Sequence, residues 1–258
     1  MNRNPALLLA VVFISGMTSL AIELTASRFI GNYFGSALPV WAAIIGMVLV
    51  YLTIGYLIGG RLADRNPNEA YLYRLTMLAG FFSGLIPFMA HPILQFATVG
   101  IRQVSANIFI GSLVGVILLL SVPMVLLGCV SPFAIRLQTK SVESSGNTAG
   151  AIYALSTMGS ILGTFLPVLL LIPTIGTRNT FLLFSFALMI PSLLGLVLRS
   201  GRRAWVFGAL IVIIIALIIT IPFGFVRAAE GGDLVYETES AMNYIQVVQV
   251  GDNRYLML

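Results

Sequence analysis

Seven runs of mostly apolar residues dominate this sequence and limit what the chain can fold into. The hydrocarbon layer of a bilayer is about 30 Å thick, and a helix that rises about 1.5 Å per residue needs about 20 apolar residues to cross it. All seven runs meet this requirement, with breaks such as the one expected at 100–102. The runs cover residues 6–27, 38–60, 72–98, 106–128, 149–172, 179–198 and 204–224. The pattern predicts an all-α polytopic membrane protein with about seven transmembrane helices.

The chain has too few charged residues to cover a water-facing surface. Only 9% of its residues are charged and 59% are hydrophobic, whereas about a quarter of a soluble domain is charged. This composition excludes a soluble globular enzyme, a disordered tail and a nucleic-acid-binding domain, and it makes the lipid bilayer the expected partner. The chain has one cysteine, Cys129, and one histidine, His91. We therefore predict no disulfide framework and no metal site built from these residue types.

Acidic residues divide the chain into two parts. Residues 1–224 contain four of the nine acids, and the much shorter remainder contains the other five. We predict a transmembrane helical domain over 1–224, a linker over 225–233 and a water-compatible tail over 234–258. The acids, in chain order, are Glu23, Asp64, Glu69, Glu143, Glu230, Asp233, Glu237, Glu239 and Asp252.

The tail has the residue types of β-strands. Segments 234–238 and 244–250 are rich in β-branched and aromatic residues, and such runs predict strands. The turn signal at 251–253 predicts a returning strand that begins at Arg254. Since a two-stranded hairpin is only marginally stable alone in water, we expect this short β-hairpin to pair with further structure, as the start of a truncated soluble domain.

Basic residues indicate which side of the membrane each loop occupies, because cytoplasmic loops are enriched in Lys and Arg. Alternate loops place nine basic residues on one side, and Arg28, Arg102, Arg178 and Arg227, with Arg254 further along the tail, on the other. The richer side predicts a cell-membrane protein with a cytoplasmic N-terminus, and seven crossings would put the tail outside. The alternative is that run 72–98 is re-entrant. The nine residues are Arg3, Arg61, Arg65, Arg74, Arg136, Lys140, Arg199, Arg202 and Arg203.

Three polar residues fall inside or near the predicted spans. Glu23 lies deep in the first run, where a carboxylate needs a partner or a wet cavity. It is either a proton or cation site, or a polar clasp that fixes helix packing. Arg28 could pair with it or extend to the headgroups. His91 precedes Pro92 and is either a proton relay to Glu23 or an interfacial residue that bonds a carbonyl freed by the proline.

The loop after the second run, Gly59 to Arg65, is similar to a loop of major facilitator transporters. Its Arg61, Asp64 and Arg65 would lock a helix end by complementing the helix dipole, which predicts a half-facilitator-like bundle. A plain cytoplasmic turn would look nearly the same. Four small-xxx-small spacings predict close helix packing and, less directly, a homo-oligomer or larger assembly through glycine-rich faces. They are Gly55/Gly59, Gly80/Gly84, Gly111/Gly115 and Gly159/Gly163.

Several segments together resemble the membrane-fused spermidine synthase-like proteins, a polyamine aminopropyltransferase family. Segment 239–248, Glu-Ser-Ala-Met-Asn-Tyr-Ile-Gln-Val-Val, is the most specific, because it resembles the opening of the small β domain that precedes the catalytic fold. Segment 254–256 resembles the second strand of that domain. The other similar stretches are 15–16, 22–24, Arg28, 59–65, 123–128, Pro132 and 150–163.

The resemblance implies aminopropyl transfer from decarboxylated S-adenosylmethionine to an amine, in a Rossmann-like domain that follows the β domain. It also implies that Asn243 stands where soluble relatives place a glutamine near the nucleoside; otherwise Asn243 is an exposed strand residue. The sequence ends at Leu258, before the family's nucleotide loop and acids. We therefore expect no catalytic residue and no cofactor in this chain, whether it is part of a longer protein or acts without the enzyme.

Three functions remain open at the level of sequence. The chain is the membrane-anchoring part of a spermidine synthase-like protein, or a transporter-like bundle that moves a polyamine or another cation with Glu23 as the counter-ion. The third possibility is a non-catalytic structural subunit that packs into a larger membrane complex.

Overall fold

A computed structural model describes residues 5–104, 108–221, 232–239 and 244–257 of the chain. Within these ranges the chain is mostly helical and ends in a small sheet. The helices are α1 (Pro5–Phe34), α2 (Leu38–Arg65), α3 (Glu69–Val104), α4 (Ile108–Gly128), α5 (Val130–Gln138), α6 (Ser145–Leu166), α7 (Ile172–Ser200) and α8 (Trp205–Thr220), and the strands are β1 (Asp233–Glu239), β2 (Tyr244–Val250) and β3 (Asn253–Met257). A π-helical turn, Pro167–Leu171, joins α6 to α7, and a short 3-10 turn, Gly201–Ala204, precedes α8.

The helices are long and apolar enough to cross a membrane. Five helical stretches within the described ranges meet this criterion, and α8, with 16 residues, is shorter. Two of these stretches contain more than one helix, because α4 continues into α5 and α6 continues through the π turn into α7. The predicted mostly helical fold with long apolar helices is confirmed.

A glycine interrupts the longest of these stretches. Gly176 has φ 80° and ψ 166°, a backbone conformation that is open to glycine and strained for residues with a Cβ. The apolar runs predicted at 149–172 and 179–198 lie one on each side of this break. The helical stretch Ser145–Ser200 therefore consists of two helical rods, one on each side of Gly176.

One predicted break is wrong. The sequence places a loop at Gly100-Ile101-Arg102, but α3 continues through these residues to Val104. A single glycine costs a helix only about 1 kcal/mol, and a helix does not have to end where its apolar run ends. Helices likewise continue through Pro87, Pro92, Pro123 and Pro191, as transmembrane helices tolerate when neighbouring helices compensate.

Helix contacts bring two ion pairs from four helices together at one end of the bundle. Asp64 near the end of α2 pairs with Arg136 on α5, and Glu69 in the first turn of α3 pairs with Arg199 in the last turn of α7. We call this the charged end: α2, α5 and α7 finish there, and α3, α6 and α8 begin there. At the opposite end, Phe29 and Phe181 stack with ring centroids 5.5 Å apart.

Glycines form close seams between helices of this chain. Gly159 and Gly163 of α6 face the backbone of Phe13 and Met17 on α1, where a Cβ would collide with a carbonyl oxygen. Gly55 and Gly59 of α2 face Val125, Gly128 and Cys129 in the same way. Such small residues let helix backbones approach where lipid gives no hydrophobic drive for association. These glycine faces are therefore occupied within the chain. Gly80 and Gly84 similarly face Ser185 and Met189.

The tail forms a three-stranded antiparallel sheet in the order β1-β2-β3. The strands lie where the residue types predict them, and the pairing of β1 with β2 adds a third strand to the predicted hairpin. Gly251, with φ 63°, makes the tight turn between β2 and β3. Val248 and Gln246 are buried, every residue of β3 is exposed, and β1 contacts α7. Most of the predicted linker 225–233 lies outside the described residues.

Candidate functional site

Glu23 lies in the middle of α1 and is half-buried. Within the part of the chain that the structure describes, its carboxylate has neither a hydrogen bond nor an ion pair. Arg28, five residues further on, lies about 140° away around the helix, whereas side chains that meet on a helix are three or four residues apart. The helix geometry therefore directs Arg28 away from Glu23. An acid in this setting is suited to bind a cation or a proton.

Helix α6 places the π turn level with Glu23. Helices α1 and α6 run in the same direction, since Phe13 contacts Gly159 and Met17 contacts Gly163. At this level the Ser160 hydroxyl donates a hydrogen bond to the Gly16 carbonyl at 3.1 Å. Glu23 lies seven residues, or about two helical turns, after Gly16 and on the same face of α1. The π turn begins seven residues after Ser160, so it lies at the same level as Glu23.

The π turn makes this level of the bundle unusual. It begins at Pro167, which is buried and lacks a backbone N–H, and α1 contacts the turn directly. Single π turns inside α-helices are frequent at functional sites, because they shift the helix register and alter which backbone groups are satisfied. Glu23 and the π turn Pro167–Leu171 together form the candidate intramembrane site.

His91 lies at a different depth from Glu23. Its Nδ1 atom is 2.7 Å from the Tyr33 hydroxyl, which joins α3 to the end of α1. Tyr33 follows Glu23 by ten residues, and a rise of about 1.5 Å per residue separates these two levels by about 15 Å. The structure thus brings His91 to Tyr33. A proton transfer between His91 and Glu23 would need intervening groups.

Arg178 lies near the end of the bundle opposite the charged end, just after the break at Gly176. Its guanidinium carbon is 4.9 Å from the centre of the Phe88 ring, and its Nη2 atom donates a hydrogen bond of 3.0 Å to the Ile221 carbonyl. The cation–π contact and the carbonyl stabilise a charge that burial would otherwise disfavour. Arg178 therefore links α7 to α3 and to the end of α8.

Two ion pairs differ sharply at the charged end. The Arg136 Nε atom lies 2.9 Å from the Asp64 Oδ1 atom, and both side chains are at least half exposed. Arg199 and Glu69 form a pair whose side chains are only 9% and 11% exposed. Arg61 and Arg65, the other predicted motif residues, are exposed on α2. The partner of Asp64 is therefore on α5, outside the motif itself.

The loop before α6 adds one further charge at this end. Hydrogen bonds from its own backbone N–H and from Ser141 hold the pKa of Glu143 below its usual range. Glu143 is therefore ionised at neutral pH.

Two further predictions concern a substrate contact at Asn243 and the absence of a metal site. Asn243 lies outside the described residues. Among the described residues, no three His, Cys, Asp or Glu side chains come together in a group that could hold a metal ion.

Sequence reasoning missed the residues that complete these contacts. Tyr33, Arg136, Glu69 and Arg199 were not singled out as site residues, although the last two occupy helix-terminal turns where their charges suit the helix dipole. The position of Glu69 and Arg199 at helix ends was a signal that the sequence contains. The partners of these residues could not be predicted, because pairing across 58 to 130 residues depends on which helices pack together.

Comparison of the chain with protein-family models, with curated protein sequences and with solved structures finds no match.

Proposed function

We propose that this chain spans the cell membrane seven times and anchors the first strands of a spermidine synthase-like β domain there. The observation that carries the proposal is the order of the two parts along the chain: a bundle of long apolar helices is followed by a three-stranded antiparallel sheet whose last strand is exposed. This arrangement suits a membrane anchor joined to a water-exposed module.

Seven crossings follow from treating the two rods around Gly176 as separate spans. In this proposal α1, α2 and α3 each cross once, and α4 crosses together with α5. The rods before and after Gly176 are the fifth and sixth spans, and α8 is the seventh. A helix of 16 residues reaches about 24 Å, so the membrane beside α8 would thin slightly.

The proposed orientation places the charged end in the cytoplasm. The helix ends that meet there bear the basic residues of the richer loops, and such residues favour the cytoplasmic side. With seven crossings, the sheet lies on the other side. Its β1 strand contacts α7, which would hold the module close to the membrane surface.

The sheet supports the spermidine synthase-like part of the proposal. Strand β2 contains residues 244–248 of segment 239–248, and β3 contains segment 254–256. Both segments resemble the opening strands of that family's β domain. Tyr255 and Leu256 of β3 are 49% and 65% exposed, and β3 pairs on one side only among the described strands. Apolar side chains on such an open edge are suited to pair with further strands.

Decarboxylated S-adenosylmethionine would be the co-substrate in this family. The glycine-rich loop that holds it there has no counterpart among the described residues, so we derive no transfer step from this chain. The chain's own part would be to hold the β domain at the membrane.

The experiment is to express the complete gene product and to assay washed membranes. We expect the protein to stay in the membrane pellet after alkaline extraction, and the pellet to transfer an aminopropyl group from decarboxylated S-adenosylmethionine to a diamine. Release of the protein into the alkaline supernatant would contradict the anchor. A folded, membrane-bound product without transfer activity would contradict the aminopropyltransferase assignment.

The candidate intramembrane site favours a second function, transport of a polyamine or another cation. Glu23 would be the counter-ion, because its carboxylate has no partner in the described structure and lies level with the π turn. We expect Glu23→Gln to lower cation uptake into proteoliposomes by at least tenfold, since a neutral amide cannot balance the charge of the cation. Glu143→Gln is the matched control, because Glu143 lies in an exposed loop. Unchanged uptake in Glu23→Gln would reject this role.

A further inference from the structure

We propose that Arg74 binds the phosphate of an anionic phospholipid headgroup where α3 meets α8 at the charged end. Tyr71 and Phe207 form the walls of this site. The inference requires that the bundle crosses a membrane, which is part of the proposed function, and does not depend on any enzymatic or transport activity.

Two aromatic rings hold the Arg74 guanidinium. Its central carbon lies 5.2 Å from the centre of the Tyr71 ring on α3 and 5.9 Å from the centre of the Phe207 ring on α8. Both distances are within the range of cation–π attraction. The rings stabilise the charge and fix the planar group, but they accept none of its five N–H bonds. A ligand with acceptor oxygens is still required.

No protein group in the described structure supplies those acceptors. The Arg74 Nε atom is buried and has no hydrogen-bond partner. The nearest acid along the chain, Glu69, is already paired with Arg199. Because Nε is inaccessible in this packing, a phosphate would bind the two Nη groups of the guanidinium through charge-assisted hydrogen bonds. A phosphate is therefore the ligand whose chemistry best completes this site.

The site lies at the depth of lipid headgroups. Arg74 is in the second turn of α3 and Phe207 is in the first turn of α8, immediately after the 3-10 turn Gly201–Ala204 that contains Arg202 and Arg203. Trp205, 64% exposed, begins α8, and tryptophan is enriched at the boundary between membrane and water. Basic pockets between helices on the cytoplasmic side are suited to anionic headgroups.

The apolar side chains beside Arg74 favour a lipid over free phosphate. Trp205 and Val206, beside Phe207, expose 64% and 75% of their surfaces. In the part of the chain that the structure describes, α8 contacts mainly α3, α7 and the 3-10 turn before it, so its remaining face is open to acyl chains. A ligand with both a phosphate and a hydrocarbon tail would satisfy Arg74 and cover these apolar side chains.

The test measures lipid binding to the full chain purified in a neutral detergent. Short-chain phosphatidylglycerol is titrated while thermal unfolding is followed, with short-chain phosphatidylcholine and inorganic phosphate as separate arms. We expect only phosphatidylglycerol to raise the Tm of the parent in a saturable way. Arg74→Gln should bind it at least tenfold more weakly, because charge-assisted hydrogen bonds are lost. Arg61→Gln, which removes an exposed charge at the same end, should bind it like the parent.

Two further variants keep the test decisive if Arg74→Gln does not fold. Arg74→Lys retains the charge but loses the planar fork, and Phe207→Leu removes one wall while leaving the arginine. We expect both to bind phosphatidylglycerol more weakly than the parent. Equal binding by the folded Arg74 variants would overturn the site. An equal response to inorganic phosphate would overturn the lipid assignment, as would an equal response to phosphatidylcholine. Alkaline extraction reports independently on membrane insertion.

Discussion

Replacing Glu69 by glutamine is expected to lower the free energy of unfolding by about 3–5 kcal/mol. The Arg199 guanidinium is almost fully buried against this carboxylate. Glutamine would leave a buried charge without its counter-charge, and the desolvation cost of that charge would no longer be offset. The pair also joins the first turn of α3 to the last turn of α7, so its loss would loosen one of the main helix contacts. Unfolding of the purified protein in detergent, followed by circular dichroism, measures the effect.

The Asp64–Arg136 pair is the matched control for this prediction. Its side chains are 72% and 50% exposed, and solvent-exposed ion pairs contribute only about 0–1 kcal/mol. Asp64→Asn should therefore change stability little. The double variant Glu69→Leu with Arg199→Leu should be more stable than either single variant, because no unpaired charge remains. If Glu69→Gln and Asp64→Asn lowered the free energy of unfolding equally, burial of the Glu69–Arg199 pair would not be the cause of its larger contribution.

Replacing Gly163 by alanine is expected to destabilise the bundle by about 3 kcal/mol or more. The added Cβ would collide with the Met17 carbonyl on α1, which is backbone and cannot move aside as a side chain can. Overpacking of a tight core typically costs about 1–3 kcal/mol, and a rigid backbone neighbour places this substitution at the upper end. Because α1 also contains Glu23, separation of α1 from α6 would disturb the candidate intramembrane site as well.

Gly150 provides the control within the same helix. A Cβ at this position would meet nothing within 4 Å, and alanine favours a helix over glycine by about 1 kcal/mol. Gly150→Ala should therefore leave stability unchanged or raise it slightly, measured by thermal unfolding and size-exclusion profile. A Gly163→Ala protein with the parent's Tm would contradict the close α1–α6 seam.

Much of the fold could be predicted because lipid and water impose simple rules on a chain. A segment such as 38–60 must be helical in hydrocarbon, since its backbone groups have no other partners there. The tail could be predicted as β because its residues are β-branched and aromatic. The end of α3 could not be predicted, because hydropathy shows where an apolar run ends but does not show where the backbone stops being helical.

The contacts of the candidate sites were less accessible to sequence reasoning. Glu23 stands out as an acid in an apolar run, but nothing in its neighbourhood along the chain indicates the π turn level with it. Arg74 is one of many basic residues at its end of the bundle. Its special position arises because α8 brings Phe207 beside it, across more than a hundred residues of chain.

Long apolar helices, a charge asymmetry between loops and a β-forming tail could be read from the amino-acid sequence, because these properties depend on residues that are neighbours along the chain. The packing of the helices was needed to establish that Glu69 faces Arg199, that Asp64 faces Arg136, and that the glycines of α6 lie against α1. These pairings depend on which helix faces meet, and many arrangements of similarly apolar helices would satisfy the same hydropathy pattern.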